Sequence, residues 1–436
     1  MKKILQFSLL TLSTLSISSW ANTSPDLVVK FNKVENLSNI PNVKSIQHLF
    51  GTTYVIRSNN SKVVENYLKK NHSLAYLEYN HRAKPTKLPT PEKIDSNDLI
   101  NKVDQKFNSY FNDPQVNKVW AFNDATNHGV SVNAAYRVHA QNTTTPVIVA
   151  VVDTGVDYNH EDLKDVMWIN SGEIPNNNID DDQNGYVDDV HGINTLKRTA
   201  NGIATGNPMD THSHGTHVAG TIGAKQNNRL GIAGIASNVK IMAIRTVPNS
   251  GDETDVDVAE SFIYAAKNGA KLINCSFGKS SNEGKNLIPD TIKFIGEKYG
   301  TLVVAAAGND SSDIDKRPTY PASHKNDNLL IIASTSSNGA LSYFSNYGKI
   351  NVDVAAPGSN VYSTTPGNRY ESMSGTSMAT PTTVGVLAEI LAHHPELSPI
   401  DLKNAIMANV TKVDKYKNKM ISEGRVDLLK TLDALK

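Results

Sequence analysis

Cysteine is all but missing from this chain. Cys275 is the only one in 436 residues, so no internal disulfide can form. It lies in the apolar stretch Lys271-Leu-Ile-Asn-Cys275-Ser and reads as a small buried strand residue. An excess of either charge is missing too. The 43 basic and 43 acidic side chains cancel, and no long basic run offers a footprint for nucleic acid or for an anionic membrane. Internal repeats are lacking, and beyond the N-terminus no apolar run approaches the roughly 20 residues that span a bilayer. At the N-terminus, Lys2 and Lys3 precede Ile4, Leu5, Phe7, Leu9, Leu10, Leu12 and Leu15, and Ser19-Trp-Ala21 follows. This is the pattern of a secretion signal at residues 1–21, with cleavage expected after Ala21. The run is too short and too interrupted by Ser and Thr to serve as a stable membrane anchor. A secreted or periplasmic monomer is expected, its stability left to its core and to bound metal.

Three short segments, far apart, carry the chemistry. Val-Val-Asp153-Thr-Gly offers a carboxylate, His214-Gly-Thr-His217-Val-Ala-Gly an imidazole, and Gly375-Thr-Ser377-Met-Ala-Thr-Pro381 a hydroxyl. A serine hydroxyl becomes a useful nucleophile when an imidazole takes its proton, and the imidazole needs a carboxylate to fix its tautomer. The chain order Asp, His, Ser distinguishes one group of such enzymes from others with the same trio. With a fourth segment, Ala305-Ala-Ala-Gly308-Asn309, the chain resembles the subtilisin-like serine peptidases, the subtilases, from near Asp113 to its C-terminus. The resemblance implies a serine endopeptidase acting through an acyl-enzyme on Ser377. His214 would be general base, Asp153 its orienting carboxylate, and Asn309 a donor to the oxyanion.

Residues 22–82 read as a separate small unit. Leu27–Phe31, Thr53–Arg57 and Leu74–Tyr79 are expected strands, and Ser61–Lys70 an expected helix with Val63, Val64, Tyr67 and Leu68 on one face. The unit resembles the α+β, ferredoxin-like propeptide of subtilases, which implies an intramolecular inhibitor whose tail enters the active site. Residues 83–112, rich in Lys, Pro, Asp and Asn, have linker composition and are where processing is expected. Residues 113–436 are expected to form the peptidase domain. Strands are expected at Val147–Val152, Lys240–Ile244, Lys271–Ser276, Leu302–Ala306 and Leu329–Ala333, with a helix over Val256–Asn268 stopped by Gly269. Continuous apolar strands with helical crossovers predict an α/β, doubly wound, mostly parallel sheet covered on both faces. Ligands bind beyond the carboxyl ends of such strands, and Asp153, Ser276 and Asn309 sit at or just past expected strand ends. The segment Glu423-Gly-Arg-Val-Asp427 resembles the usual end of the subtilase domain, and no further domain is expected.

Near the trio, His212 and His217 compete with His214. The family motif assigns catalysis to the first His of His-Gly-Thr-His. A zinc site from all three is the rival, but Gly215 and Thr216 supply no base where metalloproteases carry a glutamate. The resemblance places Ser276, Phe277 and Gly278 along one side of an extended polypeptide substrate and Ala306, Ala307 and Gly308 along the other, with Thr319 near the pocket floor. Pro381 falls inside an expected helix, a costly position in general. Asp180, Asp182, Asn184, Tyr186 and Asp188 alternate around Gly185 as in an EF-hand calcium loop, with His191 where that loop has glutamate. Asp162 and Asn228 resemble the ligands of a second family calcium site.

Overall fold

The computed structural model describes residues 25–81, 88, 110–139, 143, 145–282 and 284–436. The expected signal and most of the expected linker lie outside them. In the small unit, β1 (Leu27–Phe31), β2 (Val43–Phe50), β3 (Thr53–Ser58) and β4 (Leu74–Tyr79) form an antiparallel sheet ordered β2-β3-β1-β4, backed by α1 (Ser61–Asn71). The sequence pattern missed β2: its polar Lys44, Gln47 and His48 suit an edge strand that buries only its end, Leu49 and Phe50. Asn60 caps α1 by accepting from the Val63 N–H, and Val64 and Leu68 meet Leu27, Val29, Phe31 and Ile56 in a core of their own. A βαββαβ ferredoxin-like unit has two helices; here the β1–β2 connection is a loop, so the unit carries one.

In the rest of the chain, the strands are β5 (Val147–Asp153), β6 (Ile193–Arg198), β7 (Ala204–Gly206), β8 (Val239–Arg245), β9 (Leu272–Cys275), β10 (Leu302–Ala306), β11 (Leu329–Thr335) and β12 (Val354–Pro357). A hairpin of β13 (Val361–Thr365) and β14 (Arg369–Met373) follows, then the short β15 (Thr411–Lys412) and β16 (Gly424–Arg425). Ten strands form one sheet ordered β15-β16-β12-β11-β10-β9-β5-β8-β6-β7. It is parallel from β16 to β6 and antiparallel only at the two edge pairs. Among the described residues the helices are α2 (Val132–Val138), α3 (His214–Gly223), α4 (Asp255–Lys267), α5 (Leu287–Tyr299), α6 (Thr376–His393), α7 (Pro399–Ala408) and α8 (Leu428–Ala434). Residues alternating along β5 enter two different cores. Val149 and Val151 join α3 and α6, while Ala150 and Val152 join α4 and α5. That two-faced burial is why these strands read as unbroken apolar runs.

Helix α4 is buried nearly all round, although the sequence shows an apolar face only at Val258, Phe262, Ile263 and Ala266. The sheet covers one side and the small unit the other. Phe50 stacks on Phe294 at 4.8 Å, and Lys30 pairs with Asp290 at 2.6 Å. Asn80 accepts from the Val256 N–H and Glu78 from the Asn286 N–H, so the small unit caps the first turn of α4 and the start of α5. No helix among the described residues is long and apolar enough to cross a membrane.

Candidate active site

Three adjacent strands, β5, β9 and β10, end on one rim and bring Asp153, Ser276 and Asn309 together there. Behind this rim the first turn of α3 carries His214, and that of α6 carries Ser377. The approach of α3 depends on a glycine. A Cβ at Gly215 would fall 2.0 Å from the Gly155 carbonyl oxygen and 3.1 Å from Asp153 Cβ. With hydrogen there, His214 Nδ1 reaches Asp153 Oδ1 at 2.7 Å, both side chains fully buried. The same Oδ1 accepts from the Thr154 N–H at 2.7 Å. A carboxylate acceptor puts the imidazole proton on Nδ1 and leaves Nε2 as the lone-pair atom; Nε2 has no hydrogen-bond partner.

The Ser377 hydroxyl donates to the Ser276 carbonyl at 2.8 Å rather than to His214. Ser276 Oγ returns a bond to the Ser377 carbonyl at 2.9 Å. That carbonyl is the one an i→i−4 bond from residue 381 would satisfy, and Pro381 has no N–H to give. A tertiary contact thus replaces the helical bond Pro381 removes, and it ties β9 to α6 at the serine. Asn309 is exposed, and its Oδ1 accepts from Thr376 N (2.8 Å) and Thr376 Oγ1 (2.9 Å), which leaves its Nδ2 as the group facing outward for donation. Gly308 holds the preceding turn at φ +102°, where a Cβ would meet Asn346 Nδ2 at 2.4 Å. Buried Asn346 braces this turn through Ala307 O and the N–H groups of Asp310 and Ser312.

A cavity of about 470 Å³ opens at the serine. Ser276, Phe277, Gly278, Ala306, Gly308 and Thr319 line it together with Asn309 and Ser377, as does Leu88 from the expected linker. Ala307, expected on this wall, is instead fully buried in the core beside Ala305 and Cys275. Extended strands send alternate side chains to opposite faces, so only Ala306 can face the cavity. Cys275 is buried as expected, and burial pushes its thiol well above the usual range.

Of the other two histidines, His212 lies beside His214 with ring centroids 6.5 Å apart, while His217 is engaged elsewhere. His217 Nε2 donates to the carbonyls of Val361 (2.9 Å) and Glu371 (3.2 Å), bonding α3 to the β13–β14 hairpin. Burial pulls this imidazole down to about 3. Sequence reasoning missed Asp210, whose buried carboxylate accepts from Thr154 Oγ1 and from the backbone of His212, Ser213 and Thr216. An acidic residue four positions before His214, at the start of a helix, was the available signal.

In the acidic loop the carboxylates mostly bind their own backbone. Asp180 accepts from the N–H groups of Asn184 and Gly185, and Asp188 from those of Asn177 and Asn178. Asn184 accepts from the Tyr186 N–H. Of the expected set, Asp182 alone joins a cluster, with Glu173 and Asp189, whose ligand atoms lie within 4.8 Å of one another. Desolvation raises the carboxyls of Glu173 and Asp189. Three carboxylate oxygens are the hard donors calcium takes, so the residues present fit such an ion. Glu173 lies outside the loop pattern, which is why spacing could not find it. Elsewhere, Asn228 Nδ2 donates to Asp162 Oδ1 at 2.7 Å, and Asp113 accepts from the Asn227 and Asn228 N–H groups.

A mostly parallel sheet with helices on both faces carries the bonded Asp153–His214 pair and Ser377 at and behind its carboxyl rim, in the chain order Asp, His, Ser. The sequence pattern of the Subtilase family matches residues 144–424. The chain is 40% identical over 238 residues to Thermitase of Thermoactinomyces vulgaris, covering 55% of this chain and 72% of that protein. It is 36% identical over 308 residues to the Thermophilic serine proteinase of Bacillus sp. (strain AK1), covering 68% and 66%. To Subtilisin-like protease 1 of Plasmodium berghei (strain Anka) it is 31% identical over 358 residues, covering 78% and 57%. It thus spans less than two thirds of the length of the latter two relatives. The chain belongs to the Subtilase family.

Proposed function

We propose that the protein is a secreted serine endopeptidase that hydrolyses polypeptides through an acyl-enzyme on Ser377. The observation that carries this reading is the fully buried 2.7 Å bond from His214 Nδ1 to Asp153, which leaves Nε2 unpartnered at the base of α3. After rotation of its hydroxyl away from the Ser276 carbonyl, Ser377 would lose its proton to His214 and attack the scissile carbonyl. Catalytic hydrogen bonds of this kind commonly tighten only with substrate bound. Asn309 Nδ2 and the Ser377 amide at the start of α6 would stabilise the oxyanion. His214 would then protonate the leaving amine, and water would release the acyl group by the reverse proton path. Substrate would lie between the Ser276–Gly278 edge and the Ala306–Gly308 edge as an added strand.

The small unit acts, in this reading, as propeptide and internal inhibitor. Its contacts with α4 and α5, and Leu88 at the cavity beside Ser377, support that role. Calcium would be held structurally by Glu173, Asp182 and Asp189, and a second ion near Asp162 and Asn228. The test is the intact mass of wild-type and Ser377→Ala protein expressed from the full chain. Loss of the propeptide in wild type alone supports the reading. If processed wild type takes up no fluorophosphonate, or labels as well with His214→Ala, the peptidase assignment fails.

A further inference from the structure

Asp210 occupies a place that neither the trio nor the oxyanion loop accounts for. It is buried, at 4% exposure, in the turn before α3. Its Oδ1 accepts from Thr154 Oγ1 (3.0 Å), His212 N (2.7 Å) and Ser213 N (3.1 Å), and its Oδ2 accepts from Ser213 N (3.1 Å), Thr216 N (3.1 Å) and Thr216 Oγ1 (2.6 Å). Every one of these partners is a donor, so both oxygens act as acceptors only. The partners also belong to two different elements. Thr154 follows Asp153 at the end of β5, while His212, Ser213 and Thr216 flank His214.

The links continue beyond Asp210. Thr154 Oγ1, having given its hydrogen to Asp210, accepts from the Gly215 N–H at 3.0 Å. Thr216 Oγ1 likewise accepts from the Asp157 N–H at 2.9 Å. The residues after Asp153 and the residues around His214 are therefore stitched together at three points. Ser213, the residue just before α3, sits at φ +101° and makes no side-chain cap. Asp210 takes over that duty, placing an anion at the first turn of a helix whose free N–H groups favour one.

We propose that Asp210 is a positioning residue: through Thr154 and the first turn of α3, it holds the His214 ring against Asp153 at its reactive setting. This rests on the peptidase reading above. The carboxylate bonds neither the Asp153 side chain nor the His214 ring, so it acts through Thr154 and the backbone around His214. Its effect should therefore fall on the rate of the chemical step and leave substrate binding alone. Asp210→Asn keeps the shape but presents an amide NH₂ to donors. Thr154→Val removes only the hydroxyl bridge between Asp210 and Gly215 and keeps the side-chain volume.

Both variants are prepared from the full chain, trimmed by an added protease where they do not mature. kcat and KM are then measured on an oligopeptide anilide, beside the melting temperature and the low-field proton resonance of the Asp153–His214 bond. The expected result is KM within about twofold of wild type and kcat lower by about tenfold to a hundredfold, as for other losses of orienting contacts. The low-field resonance should be displaced or lost. A folded variant with kcat within twofold and an unchanged resonance overturns the proposal, as does a rise in KM that accounts for the whole loss. Should Asp210→Asn fail to fold, Thr154→Val decides by the same readings. If wild type itself neither cleaves the anilide nor labels with fluorophosphonate, it is the peptidase reading that has failed.

Discussion

At the scale of single residues, hydrogen bonds decide which polar atoms of the candidate site stay free: His214 gives its Nδ1 proton to Asp153 and leaves Nε2 without a partner. Asn309 Oδ1 accepts twice from Thr376, which in the proposed reading leaves its amide hydrogens for a developing oxyanion. If Asn309 donates to the oxyanion as proposed, Asn309→Ala should lower kcat by about 10²–10³ with little change in KM, the usual cost of losing one such donor. Equal loss in KM and kcat for a series of peptide substrates would mean that the amide does not act on the transition state. Gly215 was legible in the motif, but its reason was not, because only the folded chain shows the Gly155 carbonyl 2.0 Å from where a Cβ would stand. The missed residues, Asp210, Thr376 and Asn346, act through backbone groups distant in sequence, and no spacing rule reports such partners.

At the scale of elements, α6 shows how a local rule is overridden. Pro381 should cost a helix about 3 kcal/mol or more, yet the helix runs unbroken from Thr376 to His393 because Ser276 Oγ bonds the orphaned Ser377 carbonyl. Ser276→Ala should destabilise the catalytic domain by about 1–3 kcal/mol, the cost of a buried acceptor left unpaired, and chemical denaturation of the inactive Ser377→Ala background would measure it. In the small unit, Glu65 on α1 accepts from Lys69, from Tyr79 on β4 and from Lys62. These bonds, Lys69 first, hold its carboxyl down to about 2 against an ordinary 4.5. A depressed carboxyl contributes its stability above the unfolded value and loses it on acidification. The difference in stability between wild type and Glu65→Gln should therefore be full above about pH 4.5, shrink as pH falls, and vanish near pH 2. A pH series of denaturant melts checks this, and a constant difference across that range would contradict it.

At the scale of the whole molecule, a chain with one cysteine must be held by its core and, in our reading, by calcium. Chelator should lower the melting temperature of the processed protein, and Glu173→Gln should remove part of that response. Coincident melts with and without chelator would exclude a stabilising ion at either place. A second response comes from His217, fully buried and drawn down to about 3 by that burial. Unfolding lets it take up a proton at its ordinary 6.5, so its contribution favours unfolding progressively as pH falls from about 6.5 to about 3. His217→Gln should flatten that part of the stability–pH curve.

Legible without any fold were the motifs, their order, the apolar strands β5, β8, β9, β10 and β11, the helices α1 and α4, and the composition of residues 83–112. Each of these is a local pattern, since a strand buried on both faces must be apolar throughout and a helix shows its apolar face within a few turns. Pairings across the chain came from folding alone. Among them are Asp182 with Glu173 and Asp189, Ala307 turned into the core, the edge strand β2, and the reciprocal Ser276–Ser377 bonds. Those outcomes depend on which backbone groups end up close once two layers of helices close on the sheet, and hydrogen-bond partners fixed by packing leave no period in the sequence to read.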